Sequence, residues 1–418
     1  VNQGKKAWGV FLLLMFLGWG LSPAAGVSFT SAEQCKKCHA DIYRSWSLSL
    51  HANALKDPVF ETAYYKALAK TGEPVRQYCI SCHAPTTRHT RDYYLKQKIS
   101  QEGITCDYCH RITATQWGAQ LPEVVFGKGN TQYGQLKESA ATPAHKSEYS
   151  ELYLKAEYCA ACHEVKSPAG ALVMETYSEW KAGPYAKDNI NCQNCHMAQA
   201  EGAEEKAVLE EGKKEVKFYS DHMVLGGHSQ IKLAKAAGLI TSAQVKDNKV
   251  KVTCLVTNKE SGHKIPTGIP LRRIILEVVL LSKDGKEIAK KNMVYQKVLV
   301  DAAGKVLTEP AEMFLNAARV ATDNRIAPKE QREEHFEFDL PQEVDTFSVD
   351  SHLRYEFETA ILAPQKMLID MAKDTTVGER PSLIPRDVKK AVMVLAAVFL
   401  CGVLVTFALT TLLRRGKG

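Results

Sequence analysis

The sequence has little of what marks the non-globular and small-scaffold classes. Charge of one sign is barely in excess: 54 Lys and Arg stand against 47 Asp and Glu, a formal balance of +7. No basic block runs along the chain, which argues against a surface that tracks nucleic acid. Apolar residues make up 45% and charged residues 24%, so disorder throughout the chain is excluded. Cysteine is sparse, at 12 of 418 residues, too thin for a small disulfide-stapled scaffold. The length fits two or three domains.

What is there is concentrated. Ten of the twelve cysteines fall into five Cys-x-x-Cys-His pentapeptides. They are CKKCH (Cys35, Cys38, His39), CISCH (Cys79, Cys82, His83), CDYCH (Cys106, Cys109, His110), CAACH (Cys159, Cys162, His163) and CQNCH (Cys192, Cys195, His196). This is the pattern of c-type haem attachment. Two thiols add to the porphyrin vinyl groups as thioethers, and the adjacent His turns under the iron as proximal ligand. At this composition one such pentapeptide is expected by chance about 0.01 times per chain, so five exclude coincidence. Zinc or thiol-redox readings of Cys-x-x-Cys do not explain a His after every pair. The motifs recur about once per 32 residues, too little protein to enclose each haem in its own core. The expectation is five covalently bound c-type haems packed against one another, among short helices and long loops.

Eight histidines remain from which second axial ligands can come, five being needed if every iron is six-coordinate: His51, His89, His145, His222, His228, His263, His335 and His352. Two His ligands place a haem low on the potential scale compared with His and Met. His51 ends the helix-like run YRSWSLSLHA and suits a neighbouring haem better than its own. His145 lies in ATPAHKSEYS. His222 and His228 share YSDHMVLGGHS, whose two glycines allow close approach to a flat ring. His263 sits in the Gly- and Pro-rich loop SGHKIPTGIP, and either it or His89 is expected to supply the fifth distal ligand. His335 and His352 lie in strand-like alternation and read as structural. No residue is assigned a catalytic role.

The ends read differently from the middle. Lys5 and Lys6, the apolar run Ala7 to Leu21, and Ala24 and Gly26 ahead of Val27 read as an export signal over residues 1–26. Residues 27–243 form the expected haem domain, within which the charged stretch Glu201 to Lys217 reads as a solvated helix or surface loop, and Ile231 to Ile240 as a short helix. Residues 244–363 are β-rich, with strands expected over Lys249 to Thr257, Arg273 to Ser282, Lys291 to Val300, His335 to Leu340 and Thr346 to Glu358. Residues 364–390 read as a tether. Ala391 to Leu413 carries no charge, and its 23 residues cover about 34 Å as a helix, enough to span a membrane. Residues 414–418 would then be a cytoplasmic tail. Haem attachment takes place outside the cytoplasm, which puts the haem and β-rich domains on the periplasmic or extracytoplasmic side. Cys254 and Cys401 read as small buried hydrophobes.

The strings CKKCHADIYRSWSLSLHA, CISCHAPT, GITCDYCHRI, CAACHE, TYSEWKAGPYAKDNINCQNCHM, HMVLGGHS and GHKIPTGIPLRR together resemble the exported multihaem cytochrome c superfamily. That group includes the nitrifiers' tetrahaem cytochrome, hydroxylamine oxidoreductase and filament-forming cytochromes. The resemblance covers roughly residues 31–275. It implies stacked and angled haem pairs, mostly with two His ligands, and gives His51, His145, His222 and His228 as distal ligands, with His263 in a recurrent string. The expected fold is a multihaem cytochrome domain of short helices and loops, then an antiparallel β-sandwich-like domain and one C-terminal transmembrane helix. The expected function is electron transfer, with redox partners such as membrane quinol-oxidising subunits and periplasmic or extracellular cytochromes. The alternatives are a reductase or oxidase of nitrogen or sulfur oxyanions with one open haem, and a structural subunit of a larger complex, oligomer or filament. The hydroxylamine oxidoreductase type of catalysis also needs a haem cross-linked to Tyr, and no string here shows one.

Overall fold

The computed structural model describes residues 28–121, 123–137, 142–209, 213–359, 365–381, 393–401 and 403–404. The expected export signal therefore lies outside the described residues, as does most of the expected span. Residues 393–401 and 403–404 are helical, and among the described residues no helix is long and apolar enough to cross a membrane.

Residues 28–236 are short helices tied by small strand pairs. The longest helix, Pro58–Thr71, starts on the Asp57 side chain, with Pro58 in its first turn, and stops at Gly72, whose φ of 76° suits a residue without Cβ. Strand pairs form at Ile112–Gln116 with Glu123–Phe126, Thr131–Gly134 with Lys146–Tyr149, and Glu164–Lys166 with Leu172–Glu175. The charged stretch expected as helix or loop is instead an antiparallel hairpin, Gln199–Leu209 with Lys213–Ser220. The segment expected as one helix over 231–240 splits into a helix, Gln230–Ala236, and the start of a strand.

That strand opens a seven-stranded sandwich. We label its strands β1 (Ala237–Lys246), β2 (Lys249–Asn258), β3 (Arg273–Ser282), β4 (Glu287–Tyr295), β5 (Gln331–Asp339), β6 (Thr346–Thr359) and β7 (Gln365–Glu379). One sheet runs β5-β2-β1 and the other β4-β3-β6-β7, all antiparallel. Alternation decides the packing: Val250, Val252, Cys254 and Val256 of β2 share one core with Ile274, Leu276, Val278 and Leu280 of β3. The β1–β2 turn has Asp247 and Asn248 at φ 51° and 59°, a geometry that follows the strand twist. Residues 365–379, expected as tether, are the edge strand β7, paired with β6 from Thr346↔Glu379 to Thr359↔Gln365. Met367 and Val377 are exposed, but Met371 is buried in the sandwich core with Ile369 and Ala372 against it, so pairing and a short apolar face together hold the strand.

A seam joins the two regions. Arg325 is buried and donates from Nη1 to Glu179 (2.5 Å), from Nη2 to Glu175 (2.6 Å) and from Nε to Asp323 (2.8 Å). Lys297 Nζ, also buried, meets Glu175 at 2.8 Å. Glu175 and Glu179 come from the haem side, and the cations from the β-rich side.

Candidate functional site

Each pentapeptide sits on or beside a helical turn that ends at its His. The second, third, fourth and fifth close the helices Glu73–His83, Cys106–His110, Glu157–His163 and Cys192–His196. Helical spacing puts residues i and i+3 on one face with i+4 beside them, which is what two thioethers and one axial imidazole require. In the first motif Cys35 ends a helix and His39 precedes the next, Ala40–Ser47.

The decisive geometry lies in histidine pairs. An iron–nitrogen bond of about 2 Å and half an imidazole put each ring centroid about 3.1 Å from a shared iron, so two axial rings stand about 6.3 Å apart. Four pairs meet that spacing: His39 with His145 at 6.4 Å, His163 with His51 at 6.4 Å, His110 with His222 at 6.2 Å, and His196 with His263 at 6.3 Å. Their interplanar angles are 28°, 43°, 27° and 13°.

Hydrogen bonds set the tautomer. Nδ1 faces a backbone carbonyl in His110 (Tyr133, 2.8 Å), His196 (Leu225, 2.7 Å), His222 (Ser220, 2.7 Å), His263 (Lys264, 2.9 Å) and His83 (Ala54, 2.8 Å). A carbonyl only accepts, so Nδ1 carries the proton and Nε2 keeps its lone pair for a metal. Burial pushes His51 and His263 down to about 4 and His163 to about 3, so these rings are neutral ligands at neutral pH.

His83 differs. Phe60 stacks on its ring at 3.6 Å and 17°, and among the described residues no histidine stands opposite it at the axial spacing. His228, expected as a distal ligand, is not brought into such a pair. Its ring lies on Phe357 at 4.6 Å and 9°, with Nδ1 4.0 Å from Asp57. Of the glycines ahead of it, Gly227 faces the Tyr355 phenol, and nothing lies within 4 Å of a Cβ placed on Gly226. His89, the rival of His263, packs among Phe29, Tyr108 and Phe126. His335 and His352 lie on β5 and β6.

The motifs themselves touch. The Cys35 thiol lies near Cys106, and Cys159 near Cys192. Cys162 lies near Cys82, and Cys109 near Cys162. The motifs therefore follow the order first, third, fourth, fifth, with the second beside the fourth. Cys38 of the first and Cys195 of the fifth are the exposed motif cysteines. Several buried polar atoms have no partner, among them the hydroxyls of Tyr78, Thr86, Tyr108 and Tyr355 and Arg111 Nε. Tyr78 and Arg111 adjoin motifs and Tyr108 lies within one. Donors left over beside the second and third attachment sites fit carboxylate-bearing porphyrins.

Residues 34–111, which span the first three motifs, match the family described as cytochrome c554 and c-prime. The chain is a multihaem c-type cytochrome. A solved structure similar to the cytochrome is a penta-heme cytochrome c552 from Thermochromatium tepidum, with 21% identity and a TM-score of 0.65, covering 83% of this chain and 99% of that one. That likeness shows the fold, and its haem count agrees with the five motifs. A glycosyl hydrolase family 2 member from Bacteroides cellulosilyticus also aligns, at 14% identity over 34% of this chain and 14% of its own, but its TM-score of 0.18 carries no argument. None of the curated proteins matches the cytochrome.

Proposed function

We propose that the cytochrome is an electron-transfer protein whose four histidine pairs close both axial positions of four haems, while the haem on His83 has no distal imidazole. The 6.2–6.4 Å ring spacings carry this reading. Bound haem supplies an iron that cycles between ferric and ferrous states. The chain's own residues supply placement. His145, just ahead of the strand Lys146–Tyr149, serves the first; His51, after the first, serves the fourth. Each such crossover pins two motifs together. The exposed Cys38 and Cys195 mark the two ends of the row, where a redox partner would exchange electrons.

The expected donors and acceptors are other redox proteins, including quinol-linked membrane subunits and soluble cytochromes. Attachment through residues 391–413, with the haem and β-rich regions on the extracytoplasmic side, rests on the charge-free run and on where haem attachment takes place. Pulsed one-electron reduction of the holoprotein tests the reading. Redistribution among all five haems at rates independent of protein concentration is the expected result. Centres that fill only through collisions between molecules would contradict it.

One observation favours a second reading. A haem on His83 without an opposing imidazole can take a small ligand, as a reductase or oxidase with one open haem would require. Carbon monoxide titration of the reduced protein is expected to show one ligand bound per chain. No binding would remove this reading.

A further inference from the structure

The two exposed motif cysteines sit in unlike charge surroundings. Beside Cys38 stand Lys36, Lys37 and Arg44, and two of these are paired: Lys36 meets Glu33 at 3.8 Å, and Arg44 meets Asp41 at 2.9 Å. Beside Cys195 the cations are unpaired. Lys232 Nζ donates to the Cys195 carbonyl, and the exposed Lys235 follows one turn later on the helix Gln230–Ala236. The Lys259 backbone N–H donates to the Ala236 carbonyl at the end of that helix, at 2.8 Å. Lys329 Nζ donates to the Lys259 carbonyl at 2.6 Å and lies 4.9 Å over the Tyr185 ring. Lys187 is exposed two residues after Tyr185. None of Lys187, Lys232, Lys235, Lys259 and Lys329 forms an ion pair among the described residues. The nearby acids are Asp188 and Glu260, so five cations stand against two anions.

These lysines surround one histidine pair. Cys195 adjoins His196, and Lys259 stands four residues before His263, the ring 6.3 Å from His196. Gly262, next to His263, faces the side chains of Trp180 and Tyr185, each 3.5 Å from a Cβ placed there. Apolar side chains are exposed on the same surface: Ile231, 66% exposed, adjoins Lys232, and Ile190, whose N–H donates to the Tyr185 carbonyl at 2.9 Å, comes two residues before Cys192. An apolar centre with a rim of free charge suits a short-lived complex, because the rim steers the encounter and water can reclaim it on release. We propose that the face around Cys195, Ile231 and the five lysines docks an acidic redox protein, and that the charge-paired end at Cys38 does not. This deepens the electron-transfer reading and rests on it. In the docked pair one electron passes between the partner's centre and the fifth haem iron, one being oxidised as the other is reduced, and no atom is transferred. A membrane of anionic lipid would also attract lysines, but the exposed motif cysteine beside Ile231 favours a protein that exchanges electrons there.

The test mixes the oxidised holoprotein with a reduced, acidic plant-type [2Fe–2S] ferredoxin, whose cluster gives one electron to a ferric haem, and follows haem reduction by stopped flow. The second-order rate constant is expected to fall steeply as sodium chloride is added. At low salt, Lys235→Glu should lower it about threefold and Lys235→Glu with Lys259→Glu about tenfold, with both losses gone at about 1 M salt. Arg44→Glu, a matched charge reversal beside Cys38, should change it by less than about twofold. An unchanged rate in the Lys235, Lys259 double variant overturns the face, and so does an equal loss in Lys235→Glu and Arg44→Glu, which would make net charge the cause. Both side chains are exposed, and a haem count of five confirms that each variant is intact. Sedimentation with phosphatidylglycerol vesicles is the second arm. Wild-type binding that the double variant loses, with its ferredoxin rate unchanged, assigns the lysines to a lipid surface and overturns the protein site. The slower spread of the electron among the haems, in the same traces, reports separately on the electron-transfer reading. If that spread depends on protein concentration, the reading fails, whatever the lysines do.

Discussion

In four of the histidines that face an iron position, the company of Nδ1 marks the role. In His110, His196, His222 and His263 it meets a backbone carbonyl at 2.7–2.9 Å, which fixes the ring and frees Nε2. In His335 it meets Thr253 Oγ1 at 3.2 Å, and in His352 the Arg354 guanidinium at 3.2 Å. Residue type alone does not carry this distinction, because the carbonyl partner can be 29 residues away, as Leu225 is from His196. The five proximal histidines are legible from their motifs. His228 and His263 are not separable by the same means, since both lie in glycine-bearing loops. Replacing each tests the assignment. His263→Ala is expected to convert one haem from low to high spin in the EPR spectrum, and His228→Ala to convert none. A new high-spin signal in His228→Ala would return that residue to the iron.

Strands were legible where apolar residues alternate. KVKVTCLVT puts Val250, Val252, Cys254 and Val256 inward, and RIILEVVLLS does the same for β3. The hairpin over 199–220 and the edge strand β7 were not, because each is set in register by a partner strand that no long local alternation reveals. The element that matters most for function is the loop between β2 and β3, which carries His263 across the seam. Stability of the sandwich is therefore tied to one haem. Leu276 is fully buried, and Leu276→Ala is expected to cost about 2–5 kcal/mol in chemical denaturation. As the weakened sandwich unfolds, the spectrum of a single haem should change with it. Sandwich unfolding that leaves all haem spectra untouched would contradict the placement of His263.

At the scale of the whole molecule, the two regions meet through charge. Arg325 joins Glu179, Glu175 and Asp323, and removing it by Arg325→Met, which leaves buried carboxylates unpaired, is expected to cost about 3–5 kcal/mol in a denaturant titration. Burial works against the Asp323 charge, but hydrogen bonds from Arg325 and Lys264 overcome it and hold the carboxyl well below the usual carboxylate range. A depressed carboxyl contributes stability that is complete above its unfolded value near 4 and is lost as pH falls towards its folded value. The melting temperature is expected to fall between about pH 5 and pH 2, and Asp323→Asn to flatten that slope; an equal slope in the variant would exclude Asp323. Neither this seam nor the order of the motifs in space could be read from spacing, since both depend on contacts between residues up to 150 positions apart, as Arg325 and Glu175 are. The central claim is a census of axial ligands, and low-temperature EPR of the oxidised holoprotein measures it directly. The account predicts four low-spin haems with two histidine ligands each and one distinct haem on His83, whereas five equivalent low-spin bis-histidine signals would contradict it.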